Sequence, residues 1–233
     1  MKTPADLIVE RSAGCGVSVD PRAAEAIAGV LEAMAREPQN LSSVRDIDQA
    51  IWVHAVDSLS GISVPAIRDA RAIVDIGAGG GFPGLALAAA LPEVPVTLVE
   101  SERRKADWLR RASVQFPNVR VVADRSETLA HDERESFPVA CARAVGSLPV
   151  VMELAAPLLG PGGRLVAWRG RRDADDPEAA RIAGAELGLS PTPDIDVTLI
   201  PGVSRYFSVW EKVGPTPDRY PRRPGMAAKR PIA

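Results

Sequence analysis

Cysteine, lysine and long apolar runs are all scarce in this 233-residue chain. Only Cys15 and Cys141 occur, too few for a disulfide framework, so a reducing, cytoplasmic setting is expected. The longest apolar run, Leu85 to Leu91, is too short to cross a bilayer. No charged, apolar, small-residue leader follows Met1, so no membrane partner is expected either. No internal repeat signals a solenoid. Four lysines against 24 arginines read as codon bias more than function. What remains, 46% hydrophobic and 25% charged, is ordinary globular material, enough for one large domain or one domain with an extension.

The net charge of −2 conceals an asymmetry. Residues 1–70 carry 6 basic and 10 acidic side chains, whereas residues 201–233 carry 7 basic and 2 acidic ones. Arg103-Arg104-Lys105 with Arg110-Arg111, and the stretch Arg164 to Arg172, form two further basic islands. Local basic patches on a near-neutral protein are compatible with a nucleic-acid footprint, but on charge alone a solvated helix face and a loose tail are the favoured reading. Arg205, Tyr220, Arg222 and Arg223 are the candidate RNA contacts. Among them, Tyr220 lies in a basic, proline-rich tail where an aromatic ring could stack on a base. Trp108, Trp168 and Trp210 could stack on bases too, but their helix and strand patterns point to the core.

Asp20 and Pro21 open an amphipathic helix over 20–36, with Ile27, Val30, Leu31 and Met34 on one face. A second helix is expected from about Asp46 to Leu59, followed by a linker marked by Gly61 and Pro65. From Ala72 strands alternate with helices: strands over 72–76, 94–99, 119–122, 138–143 and 164–168, helices over 83–91, 102–116, 126–131, 147–159 and 176–187. Such alternation predicts a parallel sheet covered on both faces. The last strands, 194–200 and 205–213, lack an intervening helix and should pair as an antiparallel hairpin. The expected organisation is an N-terminal helical extension (1–66), a catalytic α/β domain (67–213) and a basic tail (214–233) that looks irregular.

The chemistry concentrates in Ile73-Val74-Asp75-Ile76-Gly77-Ala78-Gly79-Gly80-Gly81-Phe82-Pro83-Gly84. A β-branched run ends in a carboxylate, breaks into glycines and enters an alanine-rich helix, the layout of a site for a nucleotide-like cofactor. A dinucleotide register exists, Gly79-x-Gly81-x-x-Gly84, but a stretch this rich in glycine matches it by chance. Asp75 lies two residues before the first glycine, and Glu100 closes the next strand. That arrangement favours S-adenosylmethionine (SAM) over NAD: SAM has no pyrophosphate to place on a helix, and a carboxylate at the second strand end can accept from ribose hydroxyls. Asp75 would hold the methionine ammonium directly or through water. Asp124-Arg125-Ser126-Glu127 follows the third strand, where residues reach the adenine, and Arg143 ends the fourth.

The Asn/Asp-Pro-Pro-aromatic motif of exocyclic-amine methylation is absent: Cys141-Ala142-Arg143-Ala144-Val145 stands in its place. Cys141, inside an apolar strand, reads as a buried inert thiol and not as the nucleophile of cytosine C5 methylation. A ring nitrogen with a free lone pair, such as guanine N7, needs neither device. Its methylation demands proximity and in-line alignment, with a donor such as Arg143 able to orient guanine through O6.

Four separated segments then resemble one family. They are Asn40-Leu41-Ser42-Ser43-Val44 with His54-Ala55-Val56-Asp57-Ser58-Leu59; the Asp75–Gly84 loop; Asp124-Arg125-Ser126-Glu127 with Ala142-Arg143-Ala144-Val145; and Tyr220-Pro221-Arg222-Arg223-Pro224-Gly225. The chain resembles the RsmG (GidB) family of bacterial 16S rRNA guanine-N7 methyltransferases. The resemblance implies a Rossmann-like class I SAM-dependent methyltransferase, with a mainly parallel seven-stranded sheet and a C-terminal antiparallel hairpin. It implies SAM contacts at Gly77, Phe82, Ser126, Glu127 and Arg143, alongside the Asp75, Gly79, Gly81 and Glu100 read from the loop. It also implies a substrate in 16S rRNA, in the small ribosomal subunit or its assembly intermediate, at the decoding-region 530 loop (position 527); separately, a monomer is expected. Arg143 and His54 are the candidates nearest the chemistry; His54 with Asp57 either walls a guanine pocket or ties the N-terminal arm to the core. Other readings stay open at this point: a different methyl acceptor, a ribosome-assembly binding module without catalysis, and a dinucleotide oxidoreductase.

Overall fold

The computed structural model describes residues 2–170, 176–200 and 203–233. Arg171 and Arg172, in the second basic island, and residues 201 and 202 lie outside the described residues.

The first helix, α1 (Pro4–Gly14), has no counterpart among the sequence expectations. A reciprocal cap opens it, Thr3 Oγ1 accepting from the Asp6 amide while the Asp6 carboxylate accepts from the Thr3 amide. Helix α2 (Pro21–Arg36) follows as the pattern predicts, capped by Asp20 and burying Ile27, Val30, Leu31 and Met34. The single helix expected over 46–59 is instead a series. It comprises α3 (Ile47–Ala50), a π-helical stretch Ile51–Val56, α4 (Asp57–Leu59) and a 3-10 turn Ser60–Ser63, after which α5 (Pro65–Arg68) occupies the expected linker. A π-helix frees backbone carbonyls that need other donors. Arg143 Nη1 donates to the Val53 carbonyl at 2.7 Å, and Trp168 Nε1 donates to that of Asp57 at 2.9 Å.

The alternating region folds as β1 (Ile73–Ile76), α6 (Gly84–Ala90), β2 (Val96–Val99), α7 (Arg103–Ala112), β3 (Val119–Val122), α8 (Ser126–Asp132), β4 (Phe137–Arg143), α9 (Leu148–Ala155), β5 (Leu159–Arg169) and α10 (Pro177–Leu187). It ends in β6 (Leu189–Pro191), β7 (Ile195–Ile200) and β8 (Val203–Lys212), with a short α11 (Met226–Lys229) in the tail. The strand order is β3-β2-β1-β4-β5-β8-β6, with β7 also on β8. The first five strands are parallel, and β8 runs antiparallel to β5, β6 and β7.

Eight strands replace the seven expected because the edge strand is interrupted. Strands β6 and β7 pair successive lengths of β8, Leu189 opposite Lys212 and Ile195 opposite Phe207. Pro193, between them, has no N–H to give the ladder. The hairpin of β7 and β8 forms as expected.

One face of the sheet carries the N-terminal helices: Ile8, Ile27, Leu31, Leu59 and Ile67 share a continuous core with Leu85, Leu98 and Phe207. The other face packs Met152, Leu158, Leu187 and Tyr220 against Val74, Ala140 and Leu165. Strand order reverses between β1 and β4, so a crevice opens at their carboxyl ends, where Gly77 and Arg143 emerge.

Candidate functional site

The glycine loop is braced from below before it can hold anything above. Gly77 has φ +68°, and a Cβ there would lie 2.9 Å from Val145 Cγ2. At Gly84 a Cβ would overlap Leu98 Cδ2 and come within 2.7 Å of Asp75 Oδ2. That oxygen accepts from the Gly84 amide at 2.8 Å, while Asp75 Oδ1 has no partner among the described residues. Burial pushes the Asp75 carboxyl up to about 7, against the opposing effects of the Gly84 amide and the Arg143 charge. Asp75 is 1% exposed and accepts from the Gly84 amide, so it braces the loop from beneath.

Glu100, at the end of β2, stands differently. Its Oε2 accepts from the Gly79 amide at 2.9 Å and its Oε1 from the Glu102 amide at 2.7 Å. One lone pair on each oxygen is left for a further donor. Trp108, buried as expected, donates from Nε1 to the Gly80 carbonyl at 3.1 Å and backs the loop.

Two hollows adjoin at Gly77. One, about 260 Å³, lies among the Gly77–Gly80 backbone, Phe82, Glu100, Lys105, His54 and Arg143. The other, about 160 Å³, lies among Val99, Ser101, Asp124, Ser126, Glu127 and the tail residues Gly225, Ala227 and Ala228. Between them they gather Gly77, Gly79, Phe82, Glu100, Ser126, Glu127, Arg143 and His54 from the sequence list; Gly81, with φ +105°, shapes the loop without lining either.

Arg143 is held on three sides. Nη1 donates to the Val53 carbonyl and, at 2.8 Å, to Asp57 Oδ2; Nη2 lies 3.4 Å from His54 Nδ1. Asp57 is buried and is shared with Arg205, which donates from Nε to Oδ1 at 2.7 Å and from Nη2 to Oδ2 at 3.2 Å. His54 stacks on Phe82, centroids 5.5 Å apart, and its Nε2 lies 2.8 Å from Ser42 Oγ. A guanidinium cannot accept, so Nδ1 accepts from Arg143 and the proton sits on Nε2, donated to Ser42. Burial first, and the Arg143 charge second, bring His54 down to about 4, so the ring is neutral at pH 7. Ala144, directly after Arg143, has φ +58°, a strained position for a non-glycine residue at the mouth of the crevice. Cys141 is fully buried, and its thiol is pushed up by burial and by the Asp75 charge, as expected of an inert residue.

The expected RNA contacts are mostly turned inward. Tyr220 is 5% exposed, with its hydroxyl donating to Glu186 Oε1 at 3.0 Å, so its ring is not available for stacking. Arg222 is bound to both oxygens of the buried Glu153, and Arg205 to Asp57. Among the four, Arg223 is exposed. The tail is docked, not loose, because carboxylates on α8, α9 and α10 take its cations and amides. Sequence reasoning missed Met34 and Leu41 at the larger hollow and the tail residues at the smaller one. Lys105 was visible only as part of a basic island.

An open sheet in this order, with a glycine loop at its switch point and a carboxylate ending the second strand, is the Rossmann-like fold of class I SAM-dependent methyltransferases. The 1,6-didemethyltoxoflavin-N1-methyltransferase of Burkholderia thailandensis, solved with S-adenosylhomocysteine, shares it at a TM-score of 0.52 and 16% identity, covering 82% of this chain and 89% of that one. Residues 28–191 match the profile of the rRNA small subunit methyltransferase G (GidB) family. The enzyme of that name from Pseudothermotoga lettingae is 36% identical over 93% of this chain and 95% of its own length. That from Roseiflexus castenholzii is 41% identical over 83% of this chain and 84% of its own. The chain belongs to the rRNA small subunit methyltransferase G family.

Proposed function

We propose that this chain transfers the methyl group of SAM to N7 of a guanine in 16S rRNA, at position 527 in the 530 loop. It would act as a cytoplasmic monomer on the small ribosomal subunit or its assembly intermediate. The observation that carries the reading is the pair of hollows meeting at Gly77, with Arg143, neutral His54 and Phe82 gathered at one end. Their lining matches SAM in both halves. Free lone pairs on Glu100 suit ribose hydroxyls, Asp124 to Glu127 suit the adenosine end, and Lys105 with Arg143 suit the amino-acid carboxylate. Among the described residues no helix is long and apolar enough to span a membrane.

SAM, when bound, supplies an electrophilic methyl whose S–C bond breaks with its electron pair left on sulfur. The guanine N7 lone pair forms the new bond, and no proton has to leave, so the site needs no general base. His54 is built accordingly: one nitrogen accepts from Arg143 and the other donates to Ser42, which leaves no lone pair for a substrate proton. Its ring and that of Phe82 offer a flat wall to a base plane. Arg143 has Nε–H and one Nη2–H not engaged by Asp57, Val53 or His54, and these donors suit guanine O6.

The test is transfer of labelled methyl from SAM to small subunits lacking the modification, with the product base identified by mass spectrometry of 16S rRNA fragments. Label at N7 of the 530-loop guanine is expected. Label on another atom or another molecule would redirect the acceptor, and SAM binding without transfer would favour a binding module.

A further inference from the structure

We infer that the C-terminal segment Gly225–Ala228 is the outer wall of the adenosine subsite, latched in place by Glu127. The inference rests on the SAM reading above and extends the site to residues far from the glycine loop.

The smaller hollow is formed on one side by Val99, Ser101 and Ser126-Glu127, at the ends of β2 and β3, and on the other by Gly225, Ala227 and Ala228. Glu127 is the link between the two sides. Its carboxylate is 5% exposed, and Oε1 accepts from the Gly225 amide at 2.8 Å. Gly225 has φ +81° and no atom within 4 Å of an added Cβ, so glycine serves the backbone conformation that presents this N–H.

The segment is also held independently of the latch. Arg134 donates to the Tyr220 carbonyl at 2.7 Å and the Thr216 carbonyl at 2.6 Å. Tyr220 is fixed by Glu186, and Arg222 by Glu153 while it also donates to the Arg230 carbonyl at 2.7 Å. These anchors lie before and after Gly225–Ala228, so the wall's position is set by the fold. Its residues present only methyl groups and backbone to the hollow, the surface a flat purine packs against. Ala227 is buried beneath, whereas Ala228 is exposed along the rim.

The experiment compares the full chain, a chain ending at Pro224, and Ala228→Trp. Binding of SAM and of 5′-methylthioadenosine, which carries the adenosine half without the amino acid, is measured by calorimetry, with Tm from circular dichroism. Truncation and Ala228→Trp should weaken both ligands at least tenfold and by a similar factor, and raise the KM for SAM while that for RNA stays within twofold. Ala228 is exposed, so its variant should keep the parent Tm even where truncation lowers it. Unchanged affinity for both ligands in Ala228→Trp and in a folded truncation would overturn the inference, as would a rise in the RNA KM alone. A full chain that binds neither ligand would instead overturn the SAM reading itself.

Discussion

Replacing Asp57 by Asn tests whether Arg143 is held by charge or merely by packing. The Asp57 carboxylate is 2% exposed, and the guanidinium-bearing side chains of Arg143 and Arg205 are 13% and 23% exposed. Three hydrogen bonds of 2.7 to 3.2 Å converge on its two oxygens. Removing the anion leaves two poorly hydrated cations facing each other, a loss of about 3–5 kcal/mol. Against a total stability of about 5–15 kcal/mol that is a large fraction. Urea unfolding reads it as a fall in the midpoint at constant slope. Because the pair is buried, the fall should persist in high salt, where a surface pair would be screened. In the Asp57→Asn background Arg143→Met should then cost less than in the parent, since one of two repelling cations is gone, giving a coupling of about 0.5–3 kcal/mol. A loss below about 1 kcal/mol, or strict additivity of the two changes, would refute a charge-held Arg143.

Two pH effects of opposite sign share one window. His54 is depressed from 6.5 to about 4, so the unfolded chain binds the extra proton and stability falls as pH drops from 6.5 to 4, by about 3 kcal/mol; His54→Gln should abolish that fall in pH-dependent urea midpoints. Asp75 is raised from 3.8 to about 7, so the folded chain holds the extra proton and stability falls as pH rises through that interval; Asp75→Asn should gain about 4 kcal/mol over the parent between pH 4 and pH 8. Gly77→Ala places a Cβ against Val145 at a positive φ, and SAM should no longer raise its Tm; a retained thermal shift would contradict the loop assignment. Glu100→Gln can accept from only one of the two amides now bound, so SAM affinity should drop by about tenfold or more in calorimetry.

The alternation of β-branched runs with alanine-rich and amphipathic stretches made the parallel sheet legible, and glycine spacing with Asp75 and Glu100 located the crevice. Local chemistry carries those features. Helix α1 is legible in principle as well, through Thr3-Pro4 and Asp6, a cap written in four residues that apolar periodicity alone passes over. The π-helical turn was not legible, since its Val53 carbonyl is answered by Arg143, 90 residues away. The bond between Asp75 and the Gly84 amide was hidden for a related reason: spacing placed Asp75 by the loop but did not name its partner. The tail's basic residues were read as outward because their partners, Glu153 and Glu186, sit on helices that no sequence pattern ties to them. Family resemblance located Ser42 and His54 without indicating that they hydrogen-bond each other.

Strand β8, the last to be made, lies inside the sheet between β5 and the edge strands, and Gly225 reaches Glu127 from later still. Synthesis runs from the N-terminus, so β5 keeps a bare edge, and Asp57 lacks Arg205, until nearly the whole chain has emerged. The glycine loop and its brace draw on earlier residues alone; the contacts of Asp57 and Glu127 wait for Arg205 and Gly225.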